Sequence, residues 1–413
     1  MTIDAKRLRH DLETLASFGA DGDGGVSRPS FSIADGEARA WLRARCDEAG
    51  LSYHEDVAGN IFMRLDGTDP DAAPVWTGSH LDSVPNGGRL DGALGVIAGL
   101  EVVRSLAERG GSLTRPVEAV SFADEEGGYL GFLGSKAVAP GLSFDDIRGA
   151  VGRDGRRLIS VMTEAGFAPE RIHEAQIDPA SVHAFVEMHI EQGVVLEDAG
   201  VDVGVVSSIV GVGRCAIEFK GRPDHAGTTP MHLRRDAMRG AAALLTQVGD
   251  LPGRVGAPNA VITCGRLDLH PDAYNIVPGR VWLGFDIRDQ DRSAIEAIEA
   301  ALIDLAQDAA RPHDLEVMHH HESLTDPTPL DERIAKITRE AADEVGASWR
   351  DMPSGAGHDA QVVAPVLPTG MVFVPSVDGR SHSPLEHTSW EDLATGTSVL
   401  YGVVQHLATT GLP

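Results

Sequence analysis

Residues 74–123, PVWTGSHLDSVPNGGRLDGALGVIAGLEVVRSLAERGGSLTRPVEAVSFA, decide the fold class. PVWTG at 74–78 and PVEAVSFA at 116–123 have the short apolar runs that are typical of buried strands. Between them, LGVIAGLEVVRSLAE at 94–108 has the apolar spacing of a helix. The order strand, helix, strand predicts an α/β domain.

The pattern continues on both sides of this stretch. Helical periodicity recurs at 5–17 and 35–50, and NIFMRL at 60–65 predicts a further strand. Near the other end, a helix over 329–345, a strand at GMVFVPS and a helix beginning near Trp390 continue the alternation. We therefore expect one α/β domain formed by residues 1–211 and 325–413.

A different pattern interrupts this domain. RCAIEFK, RRDAMRGAAALLTQV, AVITCGRLDL, RVWLGFDIR, SAIEAIEAALIDLAQDAA and the stretch near LEVM give the order β-α-β-β-α-β. That order is a split βαβ sandwich, which can form a compact unit of this size. The fold prediction is an α/β domain with a mixed central sheet flanked by helices, interrupted by an inserted α+β unit at 212–324.

Composition excludes several classes of function. The 413 residues include 62 acidic and 35 basic side chains, a formal charge of −27, which argues against nucleic-acid and anionic-membrane binding. No apolar run reaches the length of a membrane span, and the chain begins with an amphipathic pattern rather than an apolar signal core. Cys46, Cys215 and Cys264 lie far apart, which predicts neither a disulfide framework nor a thiolate zinc site. We expect a cytoplasmic protein.

The first chemical signal follows the strand at 74–78. GSHLDSV at 78–84 and GGRLDG at 87–92 place His80, Asp82 and Asp91 at a strand end, where open α/β sheets collect their catalytic groups. His80 could bind a metal ion if Asp82 held its other ring nitrogen. The alternative is a solvated loop containing an ordinary histidine and aspartates.

A pair of glutamates follows the next strand. In FADEEGG at 122–128, Glu125 and Glu126 would repel each other in an empty pocket. A divalent cation removes this repulsion, since one carboxylate can bind the ion and the other can act as general base. The alternative is a helix-capping or solvent-facing acidic pair.

Two further histidine motifs complete a possible metal centre. EMHIEQG at 187–193 and DGRSHSPLEHTS at 378–389 each place histidine in a polar stretch after an apolar run. Two carboxylates and three histidines from separate elements can hold two metal ions that share one carboxylate. HHHE at 319–322 is interpreted instead as a solvated edge, because consecutive strand residues point to opposite faces. The sequence contains no G-x-S-x-G elbow, P-loop or dinucleotide fingerprint.

Taken together, these motifs resemble the hydantoinase/carbamoylase family of binuclear metal amidohydrolases. This family groups N-carbamoyl-L-amino-acid hydrolases, allantoate amidohydrolases and β-ureidopropionases, and is related to the zinc aminoacylase and carboxypeptidase clan. The resemblance implies a catalytic domain interrupted by a dimerisation domain. It rests on ten motifs in family order: GSHLDSVPNGGRLDGALGV, FADEEG, GSKA, EMHIEQG, HAGTTPM, RRDA, NIVPG, FDIR, SGAGHDA and SHSPLEHTS.

The resemblance also implies a role for each site residue. Asp91 would bridge two divalent ions, Glu125 would be the general base, and Asp82 would orient His80. Zinc is the favoured metal from the donor types, and manganese, cobalt and nickel also suit such donors. The implied ligands are His80, Asp91 and His189 for one ion and Asp91, Glu126 and His382 for the other.

Substrate contacts follow from the same resemblance. His225 would stabilise the oxyanion from the partner subunit of a homodimer. Arg288 would clamp a substrate carboxylate with two hydrogen bonds. Its competing partners are Asp286 and Asp289, which we expect on the opposite face of the strand. The remaining implied substrate contacts are Gln192, Asn275, Gly355 and His358.

The expected activity is metal-dependent hydrolysis of linear C–N bonds in N-carbamoyl-L-amino acids or related ureido acids such as allantoate or 3-ureidopropionate. The alternative within the enzymes is a metallopeptidase or N-acyl-amino-acid deacylase. A catalytically silent binding protein would lack the base or a ligand, and here all six residues are present. One stretch departs from the family, because GGYLGFLGSKA after Glu126 lacks the usual Arg-Phe.

Overall fold

The chain folds into two units, one of which interrupts the other in sequence. The computed structural model describes residues 3–110 and 113–413. One unit contains the chain up to Ser207 together with Pro329–Pro413, and the other is Ser208–Thr328. The inserted unit thus begins and ends four residues outside the expected 212–324 (208 against 212, 328 against 324).

Helices and strands alternate along the described residues. The helices are α1 (Ala5–Leu15), α2 (Ile33–Ala49), α3 (Ala93–Arg109), α4 (Leu133–Val138), α5 (Phe144–Arg148), α6 (Leu158–Glu164), α7 (Val195–Ala199), α8 (Ala237–Leu245), α9 (Leu251–Arg254), α10 (Arg292–Ala310), α11 (Glu332–Val345), α12 (Asp359–Val363) and α13 (Trp390–Thr409). The strands are β1 (Ser52–Glu55), β2 (Ile61–Leu65), β3 (Val75–His80), β4 (Val117–Phe122), β5 (Ala184–Ile190), β6 (Val203–Ile209), β7 (Gly211–Lys220), β8 (Val261–His270), β9 (Arg280–Asp289), β10 (Glu316–Thr325), β11 (Thr328–Pro329), β12 (Trp349–Ser354) and β13 (Thr369–Val374). None of the helices among these residues is both long and apolar enough to cross a membrane.

A mixed sheet forms the centre of the first unit. Its strand order is β1-β2-β4-β3-β5-β13-β6-β11, with β12 paired to β6. The four central strands β4, β3, β5 and β13 run parallel, and their neighbours β2 and β6 pair with them antiparallel. Every residue of these four strands is buried, as expected for parallel strands covered on both faces.

Helices cover both faces of this sheet. α3 connects β3 to β4, packs on both of them, and is buried from Ala93 to Leu106 beneath α1 and α13. On the opposite face, ring centroids of Trp76 and Phe122 lie 6.5 Å apart, and those of Phe122 and Phe185 lie 5.5 Å apart. The fold class predicted from the sequence, a mixed α/β sheet flanked by helices, is confirmed.

The carboxyl ends of the parallel strands meet at one edge of the sheet. His80 ends β3, His189 is the penultimate residue of β5, and the two glutamates follow β4. The segment containing His382 follows β13. Four chain segments that are distant in sequence therefore bring polar side chains to the same edge.

The second unit is a four-stranded antiparallel sheet with helices. Its strand order is β10-β7-β9-β8, and α8 and α10 pack on it. The chain order β7-α8-β8-β9-α10-β10 is the β-α-β-β-α-β order expected from the sequence. Side chains of Asp236 and Asp291 cap the first turns of α8 and α10 by accepting hydrogen bonds from main-chain N–H groups.

We expect Gly78→Ala to destabilise the first unit by about 1–3 kcal/mol. Gly78 has φ +153°, and a Cβ atom there would lie 1.9 Å from the Val120 carbonyl oxygen, so β3 and β4 would have to separate. Chemical denaturation measures the loss. Gly36→Ala in α2, where a Cβ meets nothing within 4 Å, is the matched control and should not lower stability. Equal stability of the two variants would contradict this account of Gly78.

Candidate metal centre

Two buried histidines direct their Nε2 atoms toward one carboxylate. The Nδ1 atom of His80 lies 3.0 Å from the Asp82 carbonyl oxygen, and that of His189 lies 2.8 Å from the Ile190 carbonyl oxygen. Each Nδ1 therefore donates its hydrogen to the main chain, which makes Nε2 the ring atom that faces Asp91 and can bind a metal ion. The Nε2 atoms lie 3.9 Å (His80) and 3.1 Å (His189) from Asp91 Oδ1.

Asp82 contacts His80 through its main chain and not through its carboxylate. The Asp82 carboxylate lies 3.8 Å from His80 Nδ1, too far for a hydrogen bond, and the Asp82 main-chain carbonyl makes the contact instead. The carboxylate accepts hydrogen bonds from the main-chain N–H groups of Glu125, at 3.3 Å, and Glu126, at 3.1 Å. Asp82 therefore fixes the loop that presents the two glutamates.

Gly92 makes room for the His80 ring. Its φ is +63°, and a Cβ atom at this position would lie 2.3 Å from His80 Nε2. A side chain here would occupy the space of the imidazole. The glycine that follows Asp91 is therefore required by the packing of the two predicted ligands.

A second set of donors meets the other oxygen of Asp91. His382 Nε2 lies 3.1 Å from Asp91 Oδ2 and 3.7 Å from Glu126 Oε1. Glu126 Oε1 is buried and has no hydrogen-bond partner among the described residues. A buried carboxylate oxygen without a partner is costly, and a cation at this point would supply the missing interaction.

The donor atoms fall into two groups that share Asp91. In each group the candidate ligand atoms all lie within 4.8 Å of one another. The groups have the membership that the resemblance implies, so the structure brings all five candidate ligands to one place. They are His80, Asp91 and His189, and Asp91, Glu126 and His382.

The charges of the site fit a cation. Hydrogen bonds from His189 and His382 overcome the effect of burial and hold the pKa of Asp91 well below its usual range. Burial alone would lower the pKa of His189, but the hydrogen bond to Asp91 raises it to about 9. A hydrogen bond to Asp91 likewise raises the pKa of His382 to about 9. Burial and the charge of Asp91 raise the pKa of Glu126 to about 7. In the absence of a metal ion, protons on the two imidazoles supply the positive charge that the carboxylates need.

Glu125 lies beside the first group of donors. Its Oε2 is 3.7 Å from His80 Nε2. Burial, together with the charges of Asp359 and Glu126, raises the pKa of Glu125 well above its usual value. A carboxylate with a raised pKa that sits next to a metal group is placed to take and return a proton.

Two buried glutamates that the sequence reasoning missed hold the candidate ligands in place. Glu386 Oε1 accepts hydrogen bonds from the main-chain N–H groups of Leu90 (2.7 Å) and Asp91 (3.1 Å). Glu187, two residues before His189, accepts from Ser79 Oγ at 2.6 Å and from the Ala360 N–H at 2.8 Å. The signal for Glu386 was its position in SHSPLEHTS. The signal for Glu187 was the spacing of two, which places it on the same side of β5 as His189.

The expected substrate contacts of the first unit lie at different depths. Gln192 Nε2 donates to Asp91 Oδ2 and to Ser381 Oγ, both at 3.0 Å, so it reaches the candidate centre. His358 is buried, with its ring centroid 4.5 Å from that of His189 and its Nε2 2.9 Å from Ser354 Oγ. Gly355 is exposed in the turn before it.

The remaining predicted residues belong to the second unit. His225 is exposed, and its Nδ1 accepts hydrogen bonds from the main-chain N–H groups of Gly227 (3.0 Å) and Thr228 (3.2 Å). These contacts place the ring proton on Nε2, which becomes a hydrogen-bond donor. Asn275 lies next to this turn, because its carbonyl oxygen accepts from the Ala226 N–H at 2.9 Å.

The expectation for the surroundings of Arg288 is wrong. Arg288 Nε donates to Asp286 Oδ1 at 2.7 Å, because residues two apart in a strand share a face. Arg288 lies near the end of β9, whereas the turn with His225 and Asn275 lies near its start, at Arg280. Eight residues of strand span about 26 Å. One copy of this unit therefore does not bring Arg288 and Asn275 to the same small ligand.

Comparison with known proteins agrees with the geometry. A family model described as Peptidase family M20/M25/M40 matches residues 76–406. The chain is 39% identical to the N-carbamoyl-L-amino acid amidohydrolase of Geobacillus stearothermophilus, over 98% of this chain and 99% of the relative. It is 35% identical to the allantoate amidohydrolase of Escherichia coli (strain K12), over 97% of each chain.

Solved structures give the same assignment. The hydantoinase/carbamoylase family amidase from Burkholderia ambifaria superposes with a TM-score of 0.91 at 34% identity, over 98% of each chain. The amidase of the same family from Burkholderia multivorans gives a TM-score of 0.89 at 37% identity, again over 98% of each. With its shared-carboxylate site and these relatives, the chain belongs to the hydantoinase/carbamoylase amidases of peptidase family M20/M25/M40, a family of metal-dependent hydrolases.

Proposed function

We propose that this enzyme hydrolyses the linear C–N bond of N-carbamoyl-L-amino acids, with related ureido acids such as allantoate or 3-ureidopropionate as the neighbouring substrate class. The observation that carries the proposal is the Asp91 carboxylate, shared by two groups of metal donors with Glu125 beside them. The names of the amidohydrolase relatives support the same bond type.

The donor set suits two divalent transition-metal ions. Imidazole and carboxylate together favour zinc, and manganese, cobalt and nickel accept the same donors. When bound, such ions polarise the carbonyl of the substrate and make water more acidic. His80, Asp91 and His189 would hold one ion, and Asp91, Glu126 and His382 would hold the other.

Glu125 would move the proton of the reaction. Positive charge in the pocket lowers the pKa that burial has raised, so the carboxylate can take a proton from water near neutral pH. The same Oε atom then returns this proton to the departing nitrogen. The loop that carries Glu125 is fixed by the Asp82 carboxylate, which keeps the base in one position.

His225 would stabilise the oxyanion through its Nε2 hydrogen. The two main-chain donors on Nδ1 hold the ring in the tautomer that this role requires. The separation of Arg288 from Asn275 along β9 supports a homodimer in which one copy contributes Arg288 and the partner subunit's His225 and Asn275 meet the same substrate. Arg288 would then hold the substrate carboxylate.

A recess beside Glu126 favours amino-acid substrates with an apolar side chain. It has a volume of about 160 Å³, and its lining includes Val84, Pro85 and Tyr129. Tyr129 belongs to the stretch after Glu126 that departs from the family pattern. Apolar walls suit an aliphatic or aromatic side chain better than the second ureido group of allantoate, which would lose hydrogen bonds to water there.

We expect the holoenzyme to release ammonia fastest from N-carbamoyl-L-amino acids with aliphatic or aromatic side chains. A panel of N-carbamoyl amino acids, allantoate, 3-ureidopropionate, N-acyl amino acids and dipeptides measures kcat/KM for each. Removing one methylene from a substrate side chain that occupies an apolar pocket lowers kcat/KM by roughly 10–200-fold. Faster cleavage of N-acyl amino acids or dipeptides would favour the deacylase or peptidase alternative, and a preference for allantoate would contradict the role given to the recess.

Glu125→Gln should lower kcat by about 10²–10⁴-fold, because the amide cannot accept the proton of water. Its metal content, measured by elemental analysis, should stay equal to that of the unchanged enzyme. Glu164→Gln is the matched control, since Glu164 is an exposed carboxylate of the same unit, and it should keep full activity. Substantial turnover by Glu125→Gln would remove this residue as the base.

Mixing two inactive variants tests whether His225 acts in the partner subunit. Random dimers formed from equal amounts of Glu125→Gln and His225→Ala should recover about a quarter of the active sites, because mixed dimers contain one site with both groups intact. Activity of the refolded or co-expressed mixture is compared with that of each variant alone. No recovery in confirmed mixed dimers, or a fully active monomer, would exclude action in trans.

A further inference from the structure

A second cluster of metal-binding side chains lies in the inserted unit, apart from the shared-carboxylate centre. β10 presents His319 and His321, and the neighbouring strand β7 presents Cys215 directly opposite His321. Glu299 comes from α10, which packs on both strands. Three separate elements therefore bring imidazole, thiol and carboxylate groups together.

The spacing of the two histidines explains this convergence. Strand residues two apart share a face, so His319 and His321 both point toward Glu299, while His320 lies on the other face with its Nε2 3.5 Å from Glu218. HHHE lies on β10, an edge strand of the sheet, and His321 and Glu322 are exposed as expected, but the alternate residues His319 and His321 share a face and both contact Glu299. Likewise, the separation of the cysteines in sequence excluded a site made of thiolates alone, and left open one with a single cysteine.

The distances bring three donor groups within reach of one ion. Glu299 Oε1 lies 2.7 Å from His319 Nε2 and 3.1 Å from His321 Nδ1. Donor atoms of Cys215, Glu299 and His319 all lie within 4.8 Å of one another. Both imidazoles contact the same oxygen of Glu299, whereas in the first unit His189 and His382 contact different oxygens of Asp91.

Burial gives this cluster a reason to bind a cation. Glu299 and Cys215 are buried, while the side chain of His321 is 51% exposed and gives an ion a path from solvent. Burial and the charge of Glu299 raise the pKa of the Cys215 thiol to about 12. A bound cation would reverse this effect, because it stabilises both the thiolate and the carboxylate.

We propose that Cys215, Glu299 and His319 form a third transition-metal site of the zinc type, with His321 beside it as the second hydrogen-bond partner of Glu299. One sulfur, one nitrogen and one oxygen are donors that zinc accepts, and a water on the exposed side of the cluster would fill the fourth position. At this place the ion would connect β7, β10 and α10 of the inserted unit. Such an ion would be independent of the proposed amidohydrolase activity.

Cobalt substitution tests the site in the full-length protein. Metal-free enzyme titrated with Co²⁺ should bind a third equivalent and develop the near-ultraviolet thiolate-to-cobalt charge-transfer band. This band distinguishes the two sites, because the shared-carboxylate centre contains no cysteine. Cys215→Ser should remove the band while the remaining two equivalents still bind. Cys264→Ser, which changes a partly buried cysteine of the same unit, is the matched control and should keep it.

A surface variant covers the case in which Cys215→Ser fails to fold. His321→Ala, on the exposed side of the cluster, should weaken binding of the third ion by roughly 10–100-fold, as is typical of losing an outer-shell partner. Folded unchanged enzyme that binds Co²⁺ without a thiolate band would overturn the proposal and leave a hydrogen-bonded Glu299 with two histidines. So would a band that persists in folded Cys215→Ser.

Discussion

The hydrogen bonds and charges around the Asp91 carboxylate are the constraint on which the first unit depends. Its two oxygens face two different groups of donors, and each donor comes from the end of a different parallel strand. A single buried carboxylate can satisfy both groups only if the strand ends, the loop after β3 and the segment after β13 hold their relative positions. The surrounding polar network serves this purpose. Main-chain carbonyls orient His80 and His189, Asp82 holds the glutamate loop, and Glu386 holds the Asp91 main chain.

Much of the fold follows from local patterns. The buried runs of β3 and β4 and the apolar face of α3 are long enough to be recognised, and the six elements of the inserted unit keep a clear periodicity. The short helices α4, α5 and α6 carry no such signal, because five to seven residues are too few to show a helical period. β6 was not predicted for a different reason. Its valines and glycine resemble the start of β7, which follows it directly, so the two strands are hard to separate in the sequence.

Site residues were predictable where the residue type itself indicates a metal ligand or an acid–base group. Histidines and acidic pairs at strand ends indicated the ligands, and the order of the motifs indicated the family. Contacts made by the main chain were not predictable in the same way. Sequence proximity suggested Asp82 as the group that orients His80. The geometry of the turn makes the Asp82 carbonyl, and not its carboxylate, the partner of His80 Nδ1. Arg288 and the HHHE stretch share one feature. In each, two side chains that are two residues apart lie on the same face of a strand, so that Arg288 contacts Asp286, and His319 and His321 both contact Glu299.

The bond between Glu386 and the Asp91 main chain joins residues 295 positions apart in the sequence. His382, which precedes Glu386 by four residues, comes from the same late segment. During synthesis, every other candidate ligand leaves the ribosome long before this segment does. The inserted unit can complete its own sheet in the meantime, but the shared-carboxylate centre cannot close. Completion of the second donor group is therefore one of the last events in the folding of the chain, and a nascent polypeptide that stalls before this segment would lack both His382 and the glutamate that holds Asp91.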